Sequence, residues 1–248
     1  MRISSRAAWL STALAIFTAP ALATPAFDFD DGPITGSAGA LNSSNAAESS
    51  IDFTNGLGDM VSVTAGYSTN NLCCQGTLDP ASNVEDADVV WKNDPAGHGG
   101  LGVLSVDDDD TIDGSNSGVA ADEVLFFDFG TMRDLVSIIL NGAHEETLAS
   151  GGAGGSEKWG LWTSGDGSAW TPFTGANNVD GDGNLYAQDD DETLLLDVST
   201  RWLALSAVGP TGQTGGYVER VEYQVPGPGV LGLMALGLLA MAGAYRRR

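Results

Sequence analysis

Between residues 24 and 225 short apolar runs alternate with clusters of Gly, Asn, Asp and Ser, and no long apolar stripe recurs at the helical period. Runs of this length cross one sheet, and the residues between them are turn formers, so the pattern predicts an all-β domain. The expected strands are 26–30, 50–54, 60–65, 89–91, 101–106, 123–129, 135–140, 158–163, 193–198, 202–207 and 217–225. In the last, Tyr217, Val221, Tyr223 and Val225 share one face while Arg220, Glu222 and Gln224 share the other, as in a strand with one buried side. The stretch from Leu135 to Leu140 is apolar on both faces and is expected at the centre of the core. Segments 36–47 and 149–156, rich in Ala, Gly and Ser, are expected to be loops.

Two segments depart from this strand pattern. At the amino terminus Arg2 and Arg6 precede an apolar run over 7–19, and Ala21-Leu22-Ala23 stands before Thr24. These are the parts of a secretory signal peptide, residues 1–23. The small side chains of Ala21 and Ala23 fit the peptidase pocket, so export through the Sec translocon and cleavage by signal peptidase before Thr24 are expected. At the carboxyl terminus Val225-Pro226-Gly227-Pro228 is followed by an apolar run over 230–245 and then Arg246, Arg247 and Arg248. A helix over 230–245 is about 24 Å long at ~1.5 Å per residue, shorter than a hydrocarbon core of ~30 Å. Tyr245 and the arginines extend its reach by snorkelling. Retained positive charge places the preceding domain, residues 24–224, outside.

The tail over 225–248 resembles the PEP-CTERM sorting signals of Gram-negative bacteria, in which a Pro-x-Pro motif, one apolar helix and a terminal Arg cluster are read by an exosortase. Gly227 stands where those signals usually carry Glu. The resemblance implies an exosortase-like processing enzyme, a transient stay in the inner membrane, and then the cell surface or secretion. A plain tail anchor behind a proline-rich linker is the competing reading.

Charge sharpens this picture. The chain has 33 acidic and 10 basic side chains in 248 residues, a formal net charge of -23. Arg2, Arg6 and Arg246–Arg248 belong to the targeting ends, so Lys92, Arg133, Lys158, Arg201 and Arg220 are the cations left to face all the acids. Such a surface repels nucleic acid, whose binding depends on Lys and Arg releasing counterions. It favours solubility and divalent cations. With 42% apolar residues, 6 Trp, 5 Tyr and 8 Phe, the chain can build a core, which excludes global disorder.

One local pattern is more specific. Trp159-Gly160-Leu161-Trp162-Thr163 runs into Ser164-Gly165-Asp166-Gly167-Ser168-Ala169-Trp170 and Thr171-Pro172-Phe173. Asp166-Gly167 supplies a positive-φ turn, Ser164 can bond to nearby backbone, and Trp170 can return over the core, so a hairpin is predicted. This S-x-D-G-x-x-W pattern, followed by Arg201-Trp202-Leu203-Ala204-Leu205, a Gly-rich loop over 209–216 and the strand 217–225, resembles the discoidin-type, galactose-binding-like jelly rolls. The resemblance covers about residues 158–225 and implies a jelly-roll-like β-sandwich.

Candidate chemistry is sparse. Asp180, Asp182 and Asn184 alternate as oxygen ligands do in a calcium loop, with Asp191 at the twelfth position. Leu185 at the sixth position departs from an EF-hand, so the alternatives are a different calcium site and an unoccupied acidic loop. Asp107–Asp110 with Asp113 form a second acidic cluster, read as solvent-exposed with weak cation binding. Cys73 and Cys74, adjacent in an exported protein, point to a vicinal disulfide, with pairing to another chain as the alternative. His98 and His144 lie far apart in sequence with neither G-x-S-x-G nor H-E-x-x-H in the chain, so no triad is expected. Trp162 and Trp170, near loops, are the candidates for stacking on sugar faces, and the core is the competing place for both.

These features together predict an exported, non-enzymatic protein of the cell surface or extracellular matrix with a structural, adhesive or glycan-associated role in biofilm or exopolysaccharide. A secreted polysaccharide hydrolase and a calcium-dependent adhesin are the alternatives.

Overall fold

A computed structural model describes residues 24–29, 46–68, 72, 77–92, 100–104, 112, 122–141, 157–173, 185–187, 192–207 and 216–225. All regular structure among them is β: β1 (Ala26–Asp28), β2 (Ala46–Glu48), β3 (Ser50–Thr54), β4 (Met60–Ser68), β5 (Val84–Lys92), β6 (Gly100–Leu104), β7 (Asp122–Asn141), β8 (Glu157–Ser164), β9 (Thr171–Pro172), β10 (Leu185–Ala187), β11 (Glu192–Ala207) and β12 (Tyr217–Gln224).

The two longest strands organise the domain. The amino-terminal half of β7 pairs with β4, from Ser68↔Asp122 to Ser62↔Asp128, and its carboxyl-terminal half pairs with β12, from Gln224↔Asp134 to Tyr217↔Asn141. Along its other edge β7 pairs with β11 over nearly the whole length. Thus β7 leaves one sheet and enters another. The change falls at Gly130, where φ is +69, a conformation that costs a side-chain-bearing residue about 1–2 kcal/mol. The facing strand bends by bulging between Leu195 and Val198, where Asp197 takes φ +48, and again between Thr200 and Trp202. One layer is β6-β5-β4-β7-β11-β8-β10 and the other β1-β12-β7-β11, and the pairings β12–β6 and β12–β7 close a ring through β5 and β4. This is a jelly-roll-like sandwich in which strands cross at the corners.

The strand pairs 123–129 with 135–140, and 193–198 with 202–207, were expected to be separate elements, and each proves to be one strand. Gly130, Arg133 and Thr200 look like breakers locally, yet Arg133 and Thr200 face each other in the ladder. Residues 46 and 47 were expected in a loop and belong to β2, which pairs with Val89–Trp91 beside the point where β4 and β5 diverge. β9 and β10 were not anticipated, being too short to show a period.

Between the layers lies the core, with Phe27, Phe29, Phe127, Trp159, Leu203 and Tyr223 at 0–1% exposure. Phe29 meets Phe53 edge-on at 4.8 Å, and Phe27 stacks on Tyr223 at 5.2 Å. The Trp91 indole N–H, which burial would otherwise orphan, donates to the Phe29 carbonyl at 2.6 Å. Leu135, Ile138 and Leu140 are in this core, on a segment flanked by β11 and β12 as expected of a central strand, but Val136 and Ile139 are only half-buried, so the run is not buried on both faces. In β12 a bulge between Val218 and Arg220 shifts the phase, so Val218 joins Val221 and Tyr223 in the main core cluster, while Tyr217 is fully buried, as expected, outside that cluster. Val225, expected on the buried face, follows the strand's end and is 43% exposed.

Candidate functional site

The larger layer turns one face to the core and one outward. Antiparallel register aligns its outward residues in rows: Ser62, Asp128, Trp202 and Ser164; then Thr64, Phe126, Ala204 and Trp162; then Gly66, Val124, Ser206 and Gly160. A face carrying Phe126 and Trp162 needs cover from water. Leu72 and Leu78 supply it, with Val84 and Trp170 packed against the same small cluster.

The 164–170 hairpin holds Trp170 there by local bonds. The Ser164 hydroxyl oxygen accepts the Gly167 N–H at 2.9 Å, and the Asp166 carboxylate accepts the N–H groups of Ser168 and Ala169 at 2.8 and 3.1 Å. Those two backbone donors hold the Asp166 carboxyl far below the usual carboxylate range. Gly167 sits at φ +78, and a Cβ there would lie 2.9 Å from Cε2 of Trp202. Both its conformation and the close approach of the indole therefore require glycine. The Trp170 indole N–H donates to the Gly167 carbonyl at 3.1 Å, and the ring meets Phe126 at 5.4 Å and Trp202 at 6.4 Å, edge to face in both cases. Arg201 forks onto Asp128 with two bonds of 2.9 Å and lies 5.6 Å from the Trp202 ring centre. Burial works to raise the Asp128 carboxyl, but the Arg201 guanidinium and the Gly130 N–H outweigh it, and the net shift is downward.

Between this hairpin and the 80–84 segment opens a cleft of about 630 Å³. Trp170, Trp202 and Gly167 line it from the hairpin and β11, Phe126 and Thr64 from the middle strands, and Asp86 and Asp88 from β5. Three strand spacings of ~4.8 Å put about 14 Å between β5 and β11, so the cleft is a broad trough. Tyr67 also lines it. Its hydroxyl donates to Glu85, and that bond, with burial second, raises its pKa. Asp86 and Asp88 are exposed, and alternation sets both on the outward face of β5. Flat indole surfaces beside open carboxylate acceptors suit a ligand that is apolar on one face and hydroxylated at its edges.

Of the two tryptophans proposed to stack on sugar, Trp162 is fully buried and Trp170 is half-buried at the cleft. The calcium candidates Asp180, Asp182, Asn184 and Asp191, the pair Cys73 and Cys74, the acidic run 107–110, and His98 and His144 lie outside the described residues. So do Ala21 and Ala23, Pro226, Gly227 and Pro228, and Arg246–Arg248. Thr24 and Val225 are described, and both are exposed. Trp202, Tyr67, Asp86 and Asp88 were not foreseen as site residues. The period-two spacing of Asp86 and Asp88 was the available signal for two of them, but only the fold brings β5 and β11 to one trough.

No protein-family model matches the chain, and no curated protein matches it. Among solved structures the chain is similar to the family 32 carbohydrate-binding module of Clostridium perfringens NanJ in complex with galactose, at 13% identity over 66% of this chain and 93% of that one, with a TM-score of 0.31. It is also similar to CpGH89CBM32-5 from Clostridium perfringens in complex with GalNAc-β-1,3-galactose, at 12% identity over 66% and 95%, TM-score 0.33. Wild-type discoidin II from Dictyostelium discoideum is similar at 11% identity over 66% and 55%, TM-score 0.31. At these scores the all-β architecture rests on the strands themselves and not on the likeness.

Proposed function

We propose that the domain over 24–224 is a non-catalytic glycan-binding module that retains extracellular polysaccharide at the cell surface or in the matrix. One observation carries this reading: the trough in which Trp170 and Trp202 stand with Asp86 and Asp88. Indole faces take up the C–H faces of sugar rings, and carboxylates accept sugar hydroxyls, which is the division of labour in a concave site of mixed polarity. Hydrolysis is the weaker reading. A glycosidase sets two carboxyl groups across the scissile bond and buries one to keep it protonated, whereas Asp86 and Asp88 lie exposed on one strand. Delivery is proposed to follow from the ends of the chain: Sec export, removal of 1–23, transient anchoring in the inner membrane through 230–245, and processing at the Val225–Pro228 motif by an exosortase-like enzyme.

Incubation of the protein with exopolysaccharide tests the module. Retention of uncut chains is the expected result, and shortened chains would overturn it. Mass spectrometry of the mature carboxyl terminus tests the sorting, with loss of residues after the Pro226-Gly227-Pro228 segment expected and an intact Arg248 contradicting it.

A further inference from the structure

We infer that the trough selects glycans bearing free amines, that is, de-N-acetylated amino sugars, over neutral and uronic-acid glycans. The inference rests on the reading of the trough as a glycan site and adds the charge of the ligand. Among the described residues its lining contains two carboxylates, Asp86 and Asp88, and no Lys, Arg or His. Arg201, next in the chain to Trp202, is committed to Asp128 by two bonds of 2.9 Å. Asp86 and Asp88 are two residues apart on one face of β5, which places their carboxylates about 7 Å apart. Among the described residues neither has an ion-pair partner. Two like charges at that spacing repel, and a ligand ammonium between them relieves the repulsion. Across the trough the negative face of the Trp170 ring favours a second ammonium of an oligomer, while Trp202 already carries Arg201 over its ring. A uronate carboxylate meets repulsion from both sides of the trough. N-acetylation cancels the gain by replacing the ammonium with a neutral amide.

The domain is acidic throughout, so a cationic sugar would be drawn to it everywhere, and the test must separate the trough from that background. The full chain is solubilised in a detergent without sugar headgroups and titrated by calorimetry with glucosamine, N-acetylglucosamine, glucose and galacturonate oligomers of equal length. The expected order is amine tightest and uronate weakest, with about a fivefold preference for amine over N-acetyl, as two part-exposed charge contacts provide. Asp86→Asn with Asp88→Asn should abolish that preference. Asp134→Asn with Asp197→Asn makes the same charge change at exposed positions outside the lining and should keep it. Raising salt should shrink the preference toward unity. Equal affinity for amine and N-acetyl oligomers, or a preference surviving in the Asp86/Asp88 variant, overturns the inference while leaving the glycan module standing. Failure of every sugar to bind overturns both. An oligolysine that outcompetes the amine sugar and depends equally on Asp86 and Asp88 would assign the trough to a basic peptide and overturn the sugar assignment.

Discussion

Gly167 connects the stability of the hairpin to the shape of the trough, and Gly167→Ala separates two physical costs that three glycines of this fold carry in different combinations. At Gly165 a Cβ meets nothing within 4 Å and φ is not positive; at Gly58 φ is +82 with open space; at Gly167 φ is +78 and a Cβ would lie 2.9 Å from Cε2 and 3.2 Å from Nε1 of Trp202. An alanine forced to positive φ costs about 1–2 kcal/mol, partly offset by the ~0.4–1 kcal/mol gained from a stiffer unfolded chain. The contact with Trp202 adds an overpacking cost of about 1–3 kcal/mol, because that indole is a rigid plane already in contact with Trp170. Gly165→Ala should therefore lie within about 0.5 kcal/mol of wild type, Gly58→Ala should lose about 1, and Gly167→Ala about 2–3. For a domain of this size the last corresponds to a fall in Tm of about 5–10 °C. Urea titration followed by tryptophan fluorescence reads all three. If Gly167→Ala loses no more than Gly58→Ala, the hairpin does not press on Trp202 and the rim of the trough is misplaced. Because the variant lifts the hairpin, it should also weaken glycan retention, which Gly58→Ala should leave unchanged.

Three further outcomes follow from particular contacts. Tyr223 donates its hydroxyl to Asp59, which also pairs with Arg133 at 2.6 Å; Tyr223→Phe should lose about 1–2 kcal/mol. Burial and the Asp59 bond push the Tyr223 pKa up to about 12 from 10.0, so its contribution is complete below about pH 10 and disappears as pH rises towards 12. The Tyr223 hydroxyl and then Arg133 outweigh burial to hold the Asp59 carboxyl below 3.8, so its contribution is complete above about pH 4 and is lost as pH falls. The variant should flatten the alkaline limb of a stability–pH profile and shorten the acid one, and an unchanged alkaline limb would contradict the assignment. Arg201→Lys keeps the charge but cannot fork onto Asp128, and a double-mutant cycle with Asp128→Asn should give a coupling of about 0.5–1 kcal/mol for this part-exposed pair, with zero coupling refuting it. Calcium at Asp180, Asp182, Asn184 and Asp191 predicts that EDTA lowers Tm, since a ligand bound only by the folded state must stabilise it, and an unaltered Tm removes the site.

What was legible in the sequence was local. Residues 50–54 form the strand that their alternation predicts, and the hairpin from Ser164 to Trp170 closes through bonds spanning two or three residues, so its parts stand next to one another in the chain. The same locality misled elsewhere. Gly130 and Asp197 look like ends of strands, yet each is a bend inside a long one, because the hydrogen bonds that continue the ladder come from a partner some 60 residues away.

Acidity and all-β character follow from composition and periodicity, and the expectation of export rests on the same kind of local reading, since charge repulsion and side-chain alternation act on the chain residue by residue. The trough does not. Asp86 and Asp88 are unremarked carboxylates among 33 acids until β5 is laid beside β4, β4 beside β7 and β7 beside β11, which brings Trp202 and Trp170 to the same outward face. Strand order is settled by which apolar faces can bury one another across the whole domain. A site assembled from four strands and a hairpin therefore exists only once that packing is complete.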